Sequence, residues 1–132
     1  MNSIELTVRG FHCDMFAHVN NARYLEFLED ARWDWLNKTI DYKYFIKNDI
    51  SFIVASVTIN YRAPAVLNDI LTITAATGKI GNRSGQIEQK VIRKSDDKLI
   101  ADATITFAVV NNKSGKSVPL EGELLEILNS HG

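Results

Sequence analysis

Residues 21–37 read NARYLEFLEDARWDWLN, and this stretch decides the fold class. Tyr24, Leu28, Ala31 and Trp35 recur at steps of four and three residues, the spacing that lines up side chains on one face of an α-helix. Leu25, Phe27 and Leu36 widen that apolar stripe, while Glu26, Glu29, Asp30 and Arg32 make up its wetter side. Asn20 or Asn21 is a good N-cap, with a side-chain oxygen free to accept from the first exposed N–H groups. The spacing predicts one long helix near residues 21–37.

On either side of it the pattern is that of strands. Ile4, Leu6 and Val8 alternate with Glu5, Thr7 and Arg9, the period of a half-buried strand. Beyond the helix, NKTIDYKYFIKNDI predicts a loop with a short helix. SFIVASVTINYR then reads as a strand with Ile53, Ala55, Val57, Ile59 and Tyr61 on one face, stopped by Ala63-Pro64. ILTITAATGKI, SGQIEQKVIRK and LIADATITFAVVN follow as strands, with turn signals at Gly81-Asn82 and Ser95-Asp96-Asp97. Asn111 to Gly115 turns again, and LEGELLEIL predicts a short helix with Leu120, Leu124, Leu125 and Leu128 on one side. One long helix cannot cover both faces of a sheet, so the class is α+β rather than doubly wound α/β. The simplest packing is a five-stranded antiparallel sheet wrapped around one central helix.

Composition bounds the function. The chain has 132 residues and a formal charge of −1, from 15 Lys+Arg and 16 Asp+Glu. That length predicts a single domain over 1–132. Its 45% hydrophobic and 23% charged residues are those of an ordinary globule. The near-zero charge argues against nucleic acid as a partner. No stretch approaches the roughly 20 apolar residues of a membrane span, and MNSIELTVRG lacks the apolar core of a signal peptide. The lone Cys13 forms no internal disulfide and fits no zinc spacing. These features predict a cytoplasmic protein.

The chemistry is expected in FHCDMFAHVNNAR, residues 11–23. A carboxylate, two imidazoles and two amides precede the helix start, where unpaired N–H groups carry roughly half a positive charge. An acyl carbonyl held there would be polarised and a tetrahedral oxyanion stabilised. Asp14 is close enough in sequence to face the same opening and to serve as general base or nucleophile. Asp and His before a helix also serve as caps and turn residues. Composition and spacing leave both roles open.

The motif narrows the choice. Asp14, His18, Val19, Asn20, Asn21, Ala22 and Tyr24 spell D-x-x-x-H-V-N-N-A-x-Y, which resembles the active-site motif of the 4-hydroxybenzoyl-CoA thioesterase family of hotdog-fold proteins. VRGFHCDMFAHVNNARYLEFLEDARWDWL, INYRAPAVLNDILTIT and LEGELLEIL are similar to the bacterial long-chain acyl-CoA thioesterases of that family, and the similarity covers nearly the whole chain. The resemblance implies that Asp14 is the nucleophile or the base toward water. It implies that the backbone N–H of Asn21 polarises the thioester carbonyl. Plant acyl-carrier-protein thioesterases share a related D-x-N-x-H-V-N-N motif, which implies a role for His18 beside Asp14, in catalysis or in orienting the loop. This chain departs in carrying Phe16 at that motif's middle Asn and Ala17 where many members have Gly. It also has Asn21 and Gly10 where a related subgroup has His and Tyr.

Other residues have structural readings. Glu26 and Glu29 follow the helix start, where a second hotdog type places its carboxylate, but a solvated helix face accounts for both. His12 reads as a partly exposed strand-end residue sharing a face with Asp14. Cys13 reads as a small buried hydrophobe, and His131 sits in the tail. Tyr24, Phe27, Trp33 and Trp35 belong to the core or to an acyl tunnel cut from it, where each buried methylene contributes about 0.8 kcal/mol. No glycine-rich phosphate loop is present, so the phosphates of coenzyme A would be met by single cations. Arg62, Arg83 and Lys90 are the candidates, with Tyr24 on the acyl side and His18 or Asn20 orienting the loop or the substrate carbonyl.

The expected protein is an acyl-CoA thioesterase needing no metal or bound cofactor. The resemblance further implies sheets paired edge to edge in a homodimer or homotetramer. The site then lies at the dimer interface, with Asp14 from one protomer and the helix terminus from the other. The alternatives are a non-catalytic acyl-thioester-binding hotdog protein and a thioesterase for acyl-carrier-protein or aromatic acyl-CoA substrates. A hotdog dehydratase is disfavoured by the absence of its H-F-P-x-x-P-x-x-P-G block; the chain has only Pro64 and Pro119.

Overall fold

A computed structural model describes residues 2–39 and 42–129. Strand β1 (Asn2–Thr7) leads through a 3-10 turn at Gly10–His12 into helix α1 (Asn21–Thr39). A short helix α2 (Tyr42–Lys47) precedes strands β2 (Ile50–Tyr61), β3 (Ile70–Ile80), β4 (Ser84–Arg93) and β5 (Lys98–Asn111). Helix α3 (Gly122–Asn129) follows. The five strands form one sheet in the order β1-β3-β4-β5-β2, and every neighbouring pair is antiparallel. This is the expected α+β arrangement. His131 lies outside the described residues.

The helix forms where the sequence places it, and Asn20 is the cap. Its Oδ1 accepts the Ala22 N–H at 2.9 Å, and its carbonyl accepts from Arg23 at 2.9 Å. Tyr24, Phe27, Leu28, Ala31 and Trp35 are buried against the sheet, with Trp35 at 0% exposure. Leu25, expected in the apolar stripe, is 43% exposed. Arg32, expected on the wet side, turns inward, where its guanidinium donates to Oε1 of the buried Gln89 at 3.0 Å. Gln89 Nε2 in turn donates to the carbonyls of Leu28 and Thr74. That polar clasp fixes α1 over β3 and β4 and leaves no buried amide unpaired on Gln89.

A bulge corrects the expected face of β2. Phe52 and Val54 stand opposite Val109 and Phe107 of β5, and the register then shifts so that Val57, Ile59 and Tyr61 stand opposite Ile105, Ala103 and Ala101. The β5 partners are all buried, so both sets face the core side, and Ala55 is the extra residue. Ile53, expected on the same face as Val57, therefore points the other way. The bulge also lets Phe52 stack on Phe107 with ring centroids 4.5 Å apart while Tyr61 still turns toward α1.

Candidate active site

The loop before α1 is built by backbone hydrogen bonds. Cys13 and Val19 form an antiparallel bridge that closes the intervening residues into a tight turn. Within it the Asp14 N–H donates to the His18 carbonyl at 2.9 Å, and the Ala17 N–H donates to the Asp14 carbonyl at 3.0 Å. Ala17 sits in the left-handed region at φ 64, the conformation for which glycine is the cheaper residue. The turn is anchored by Asn20 N–H to the His12 carbonyl at 2.8 Å and by Val19 N–H to the Ala65 carbonyl at 2.9 Å.

His12 corrects its expectation. It is buried rather than partly exposed, because Gly10–His12 is a 3-10 turn and not an extended strand end. Its Nδ1 accepts the Arg9 N–H at 2.9 Å, and its ring meets Phe27 edge-on. Burial first, then the nearby positive charges of Arg23 and Arg9, lower its pKa against the opposing pull of Glu26. Cys13 is partly buried, with its thiol toward the Arg9 carbonyl.

Between this turn, the start of α1 and the end of β2 lies a cavity of about 410 Å³. Asp14, His18, Asn21 and Tyr24 line it together with Tyr61, Arg62 and Pro64. Asp14 Oδ1 accepts the Phe16 N–H at 2.9 Å, while its other carboxylate oxygen accepts nothing among the described residues. The Asn21 N–H likewise has no acceptor among them, as the first amide of a helix should not. One cavity is thus lined both by Asp14, with an open carboxylate oxygen, and by Asn21, the first residue of the helix, whose amide is open. A carbonyl lying between them would be polarised on one side and attacked from the other.

Not every expected site residue is here. The Asn20 side chain is occupied by capping. Arg83 sits in the turn between β3 and β4, where it donates to the Ser117 carbonyl at 2.7 Å, outside this cavity. Lys90 lies in a polar depression on the outer sheet face. Arg62 does reach the cavity, but Asp102 holds its guanidinium through contacts of 2.8 and 3.4 Å. Asp14 and Asn21 line the same cavity from one chain, so the expected division of these two between protomers is not required. Glu26 pairs with Arg23 on the helix surface, and Glu29 lies farther along α1 in a separate groove. Trp35 is core, whereas Trp33 is half-exposed and lines that groove.

Tyr61 is the residue the sequence did not single out. Its hydroxyl donates to the Asn21 carbonyl at 3.0 Å, and its ring lies 5.5 Å from that of Tyr24. The buried Tyr24 hydroxyl is hydrogen-bonded to the backbone of Ala65, and burial raises its pKa. The block INYRAP carried the signal only as a strand end before a proline.

Comparisons with known proteins agree with this fold. The family model of the thioesterase-like superfamily matches residues 8–128. The long-chain acyl-CoA thioesterase FadM of Escherichia coli K12 is 45% identical over 124 residues, 94% of each chain. The crystal structure of YbaW, a probable thioesterase from Escherichia coli, superposes with a TM-score of 0.93 at 43% identity, covering 99% of this chain and 98% of that one. The 1,4-dihydroxy-2-naphthoyl-CoA thioesterase Slr0204 from Synechocystis shares the fold, with a TM-score of 0.85 at 17% identity over 96% and 94% of the two chains. A helix gripped by a five-stranded antiparallel sheet, a carboxylate at its amino end and a family match over nearly the whole length lead to one assignment: the chain belongs to the thioesterase-like superfamily of hotdog proteins.

Proposed function

We propose that this protein hydrolyses long-chain fatty acyl-CoA to free fatty acid and coenzyme A at the cavity between Asp14 and the start of α1. One observation carries the proposal: the open carboxylate oxygen of Asp14 and the free N–H of Asn21 line the same cavity. The thioester carbonyl oxygen accepts from the Asn21 N–H. Asp14 either takes a proton from the attacking water or attacks the carbonyl itself. In both routes the new C–O bond forms as negative charge builds on the carbonyl oxygen, and collapse breaks the C–S bond and expels the thiolate, which takes up the proton lost by water. Where Asp14 attacks, the acyl group is left on its carboxylate as a mixed anhydride, and water then cleaves that anhydride to release the fatty acid and restore Asp14. His18 flanks Asp14 across the turn and positions it. Tyr24 forms the floor toward the acyl chain, and Arg62 stands at the rim. Hydrolysis of a long acyl chain fits the name of the relative FadM.

The reading includes a cytoplasmic enzyme working as a homodimer or homotetramer. It is supported by an edge strand, β2, that carries no charge. Among the described residues no helix is long and apolar enough to cross a membrane.

The test is thiol release from palmitoyl-CoA by wild type and Asp14→Asn. Loss of a general base or nucleophile should lower kcat at least about 100-fold. A near wild-type rate removes Asp14 from the mechanism. A panel of acyl-CoAs from short to long should peak at long chains; a peak at aromatic thioesters overturns the chain-length assignment. No release from any of them, with acyl-CoA still bound, favours a binding protein.

A further inference from the structure

The loop from β2 to β3, residues 62–69, contributes Arg62, Ala63 and Pro64 to the Asp14 cavity. The next residue, Ala65, is fully buried, and its backbone makes two contacts with the site. Its carbonyl accepts the Val19 N–H at 2.9 Å, which anchors the turn that carries Asp14. Its backbone is also hydrogen-bonded to the Tyr24 hydroxyl, near the start of α1. Whatever fixes Ala65 therefore bears on both the Asp14 turn and the helix start.

One pair of side chains holds the residues that flank Ala65. Asp69 Oδ2 accepts the Val66 N–H at 3.0 Å. Arg93 Nη1 donates to the Pro64 carbonyl at 3.4 Å and lies 3.7 Å from Asp69 Oδ2. Asp96 takes Arg93 Nε and Nη2 at 2.9 and 2.8 Å, which leaves Nη1 for the loop. The Asp69 and Arg93 side chains are 18% and 21% exposed, unusually low for charges on a loop and a strand end. The Asp69 backbone is fixed as well: its N–H donates to the Val66 carbonyl at 3.0 Å, and its carbonyl accepts the Val8 N–H at 2.9 Å. Asn68 sits in the left-handed region at φ 73, a conformation that persists where its neighbours over-determine it.

The backbone bond from Asp69 to Val66 already closes the turn, so the carboxylate is not needed for the chain to reverse. What the carboxylate adds is a second hold on Val66 and a charge beside Arg93, and both act on the peptides next to Ala65. Asp69 itself is not among the residues that line the cavity. We propose that Asp69 is a positioning residue for acyl-CoA hydrolysis: through Val66 and Ala65 it holds the Asp14 turn and Tyr24 in register with each other, without touching substrate. The assignment rests on the hydrolytic reading above. It acts through the acceptor oxygen that Asp69 presents to the Val66 N–H, since a small shift of a reacting group away from its productive geometry costs rate.

Steady-state hydrolysis of palmitoyl-CoA by wild type, Asp69→Ala, Asp69→Asn and Thr77→Val tests it, with a urea midpoint for each. Asp69→Ala removes the acceptor and should lower kcat about tenfold, with KM changed by less than about twofold. Asp69→Asn keeps an oxygen in place for the Val66 N–H and should return kcat to within about twofold of wild type. Thr77→Val removes a 2.7 Å bond to the Leu128 carbonyl, outside the cavity, so it should lose stability and keep kcat. If Asp69→Ala does not fold, Asp69→Glu replaces it; that variant keeps the charge but carries the acceptor a methylene farther out, and kcat should fall about fivefold or more. A wild type that releases no thiol overturns the hydrolytic reading and the assignment with it. An active wild type with kcat unchanged in Asp69→Ala, or unchanged in Asp69→Glu where that variant stands in, overturns the positioning role alone. So does an Asp69→Asn as slow as Asp69→Ala, or a Thr77→Val whose kcat falls as far.

Discussion

The hydroxyl of Tyr61, the last residue of β2, donates to the backbone carbonyl of Asn21, the first residue of α1, at 3.0 Å. This bond ties the end of an edge strand to the amide that polarises the substrate carbonyl in the proposed mechanism. Removing it frees the first helical turn to fray, and small misplacements of an oxyanion donor are costly. Tyr61→Phe keeps the ring against Tyr24 and removes only the bond. We expect kcat for long-chain acyl-CoA to fall about five- to tenfold with KM changed by less than about twofold. Steady-state kinetics on folded protein decide it, and an unchanged kcat would reduce Tyr61 to packing.

The strained turn beside Asp14 yields a second prediction. Ala17 holds φ 64, which costs a residue with a Cβ about 1–2 kcal/mol relative to glycine. Glycine gives back about 0.4–1 kcal/mol through its freer unfolded chain. Strain is the larger of the two, so Ala17→Gly should stabilise the protein by up to about 1 kcal/mol in urea denaturation. Ala17→Val, β-branched in the same conformation, should destabilise it by more than that. A glycine variant less stable than wild type would show that the neighbouring turn, not Ala17, sets this backbone angle.

These two residues mark how far the sequence could be read. Period and capping were sufficient for α1 because Tyr24, Leu28, Ala31 and Trp35 all meet one surface. The motif brought out Asp14 and Asn21, which line one cavity, because a turn carboxylate and a helix amide are groups the chain places locally. The contact of Tyr61 with Asn21 was not legible, because forty residues separate the two, and Ile53 was read on the face of Val57, Ile59 and Tyr61 although the bulge at Ala55 turns it away. Period-2 reading carries no sign of an inserted residue. Arg32 was misplaced for a related reason, since its partner Gln89 lies on β4 and a helical wheel has no knowledge of sheets. The family resemblance did not help with Arg83, whose hydrogen bond to Ser117 depends on how two turns meet.

Acid should loosen the turn that carries Asp14. The His12 pKa is lowered by burial and by Arg23 and Arg9, and its Nδ1 is committed as an acceptor from the Arg9 N–H. The unfolded chain, with an ordinary imidazole near pH 6.5, then binds more protons than the folded one below that pH. The stabilising contribution is therefore complete above about pH 6.5 and is lost as pH falls through the folded-state value, by at most about 1.4 kcal/mol per pH unit. His12→Asn, whose Oδ1 can take the same N–H, should flatten this part of the profile. Urea midpoints between neutral and mildly acidic pH measure it, and a wild-type slope retained by the variant would move the effect to another group.

Arg62 stands at the cavity rim, but Asp102 already occupies it. The carboxylate accepts from the guanidinium at 2.8 and 3.4 Å and from Asn60 at 3.0 Å; the Arg62 bond, then the Asn60 bond, lower the Asp102 pKa, and Asp102 raises that of Arg62. A phosphate of coenzyme A approaching Arg62 must compete with that carboxylate for the same N–H groups, and the exposed pair is screened by salt. Asp102→Asn removes the competing charge and leaves an amide oxygen in place. The KM for a long-chain acyl-CoA should then fall by about two- to threefold at low ionic strength, with kcat unchanged, and the gain should vanish at high salt. The same acyl group on N-acetylcysteamine, which carries no phosphate, should show no change in either variant or salt. A gain shared by both thioesters would mean that Asp102 acts on the cavity wall itself, and no gain in either would place the phosphates elsewhere on the protein.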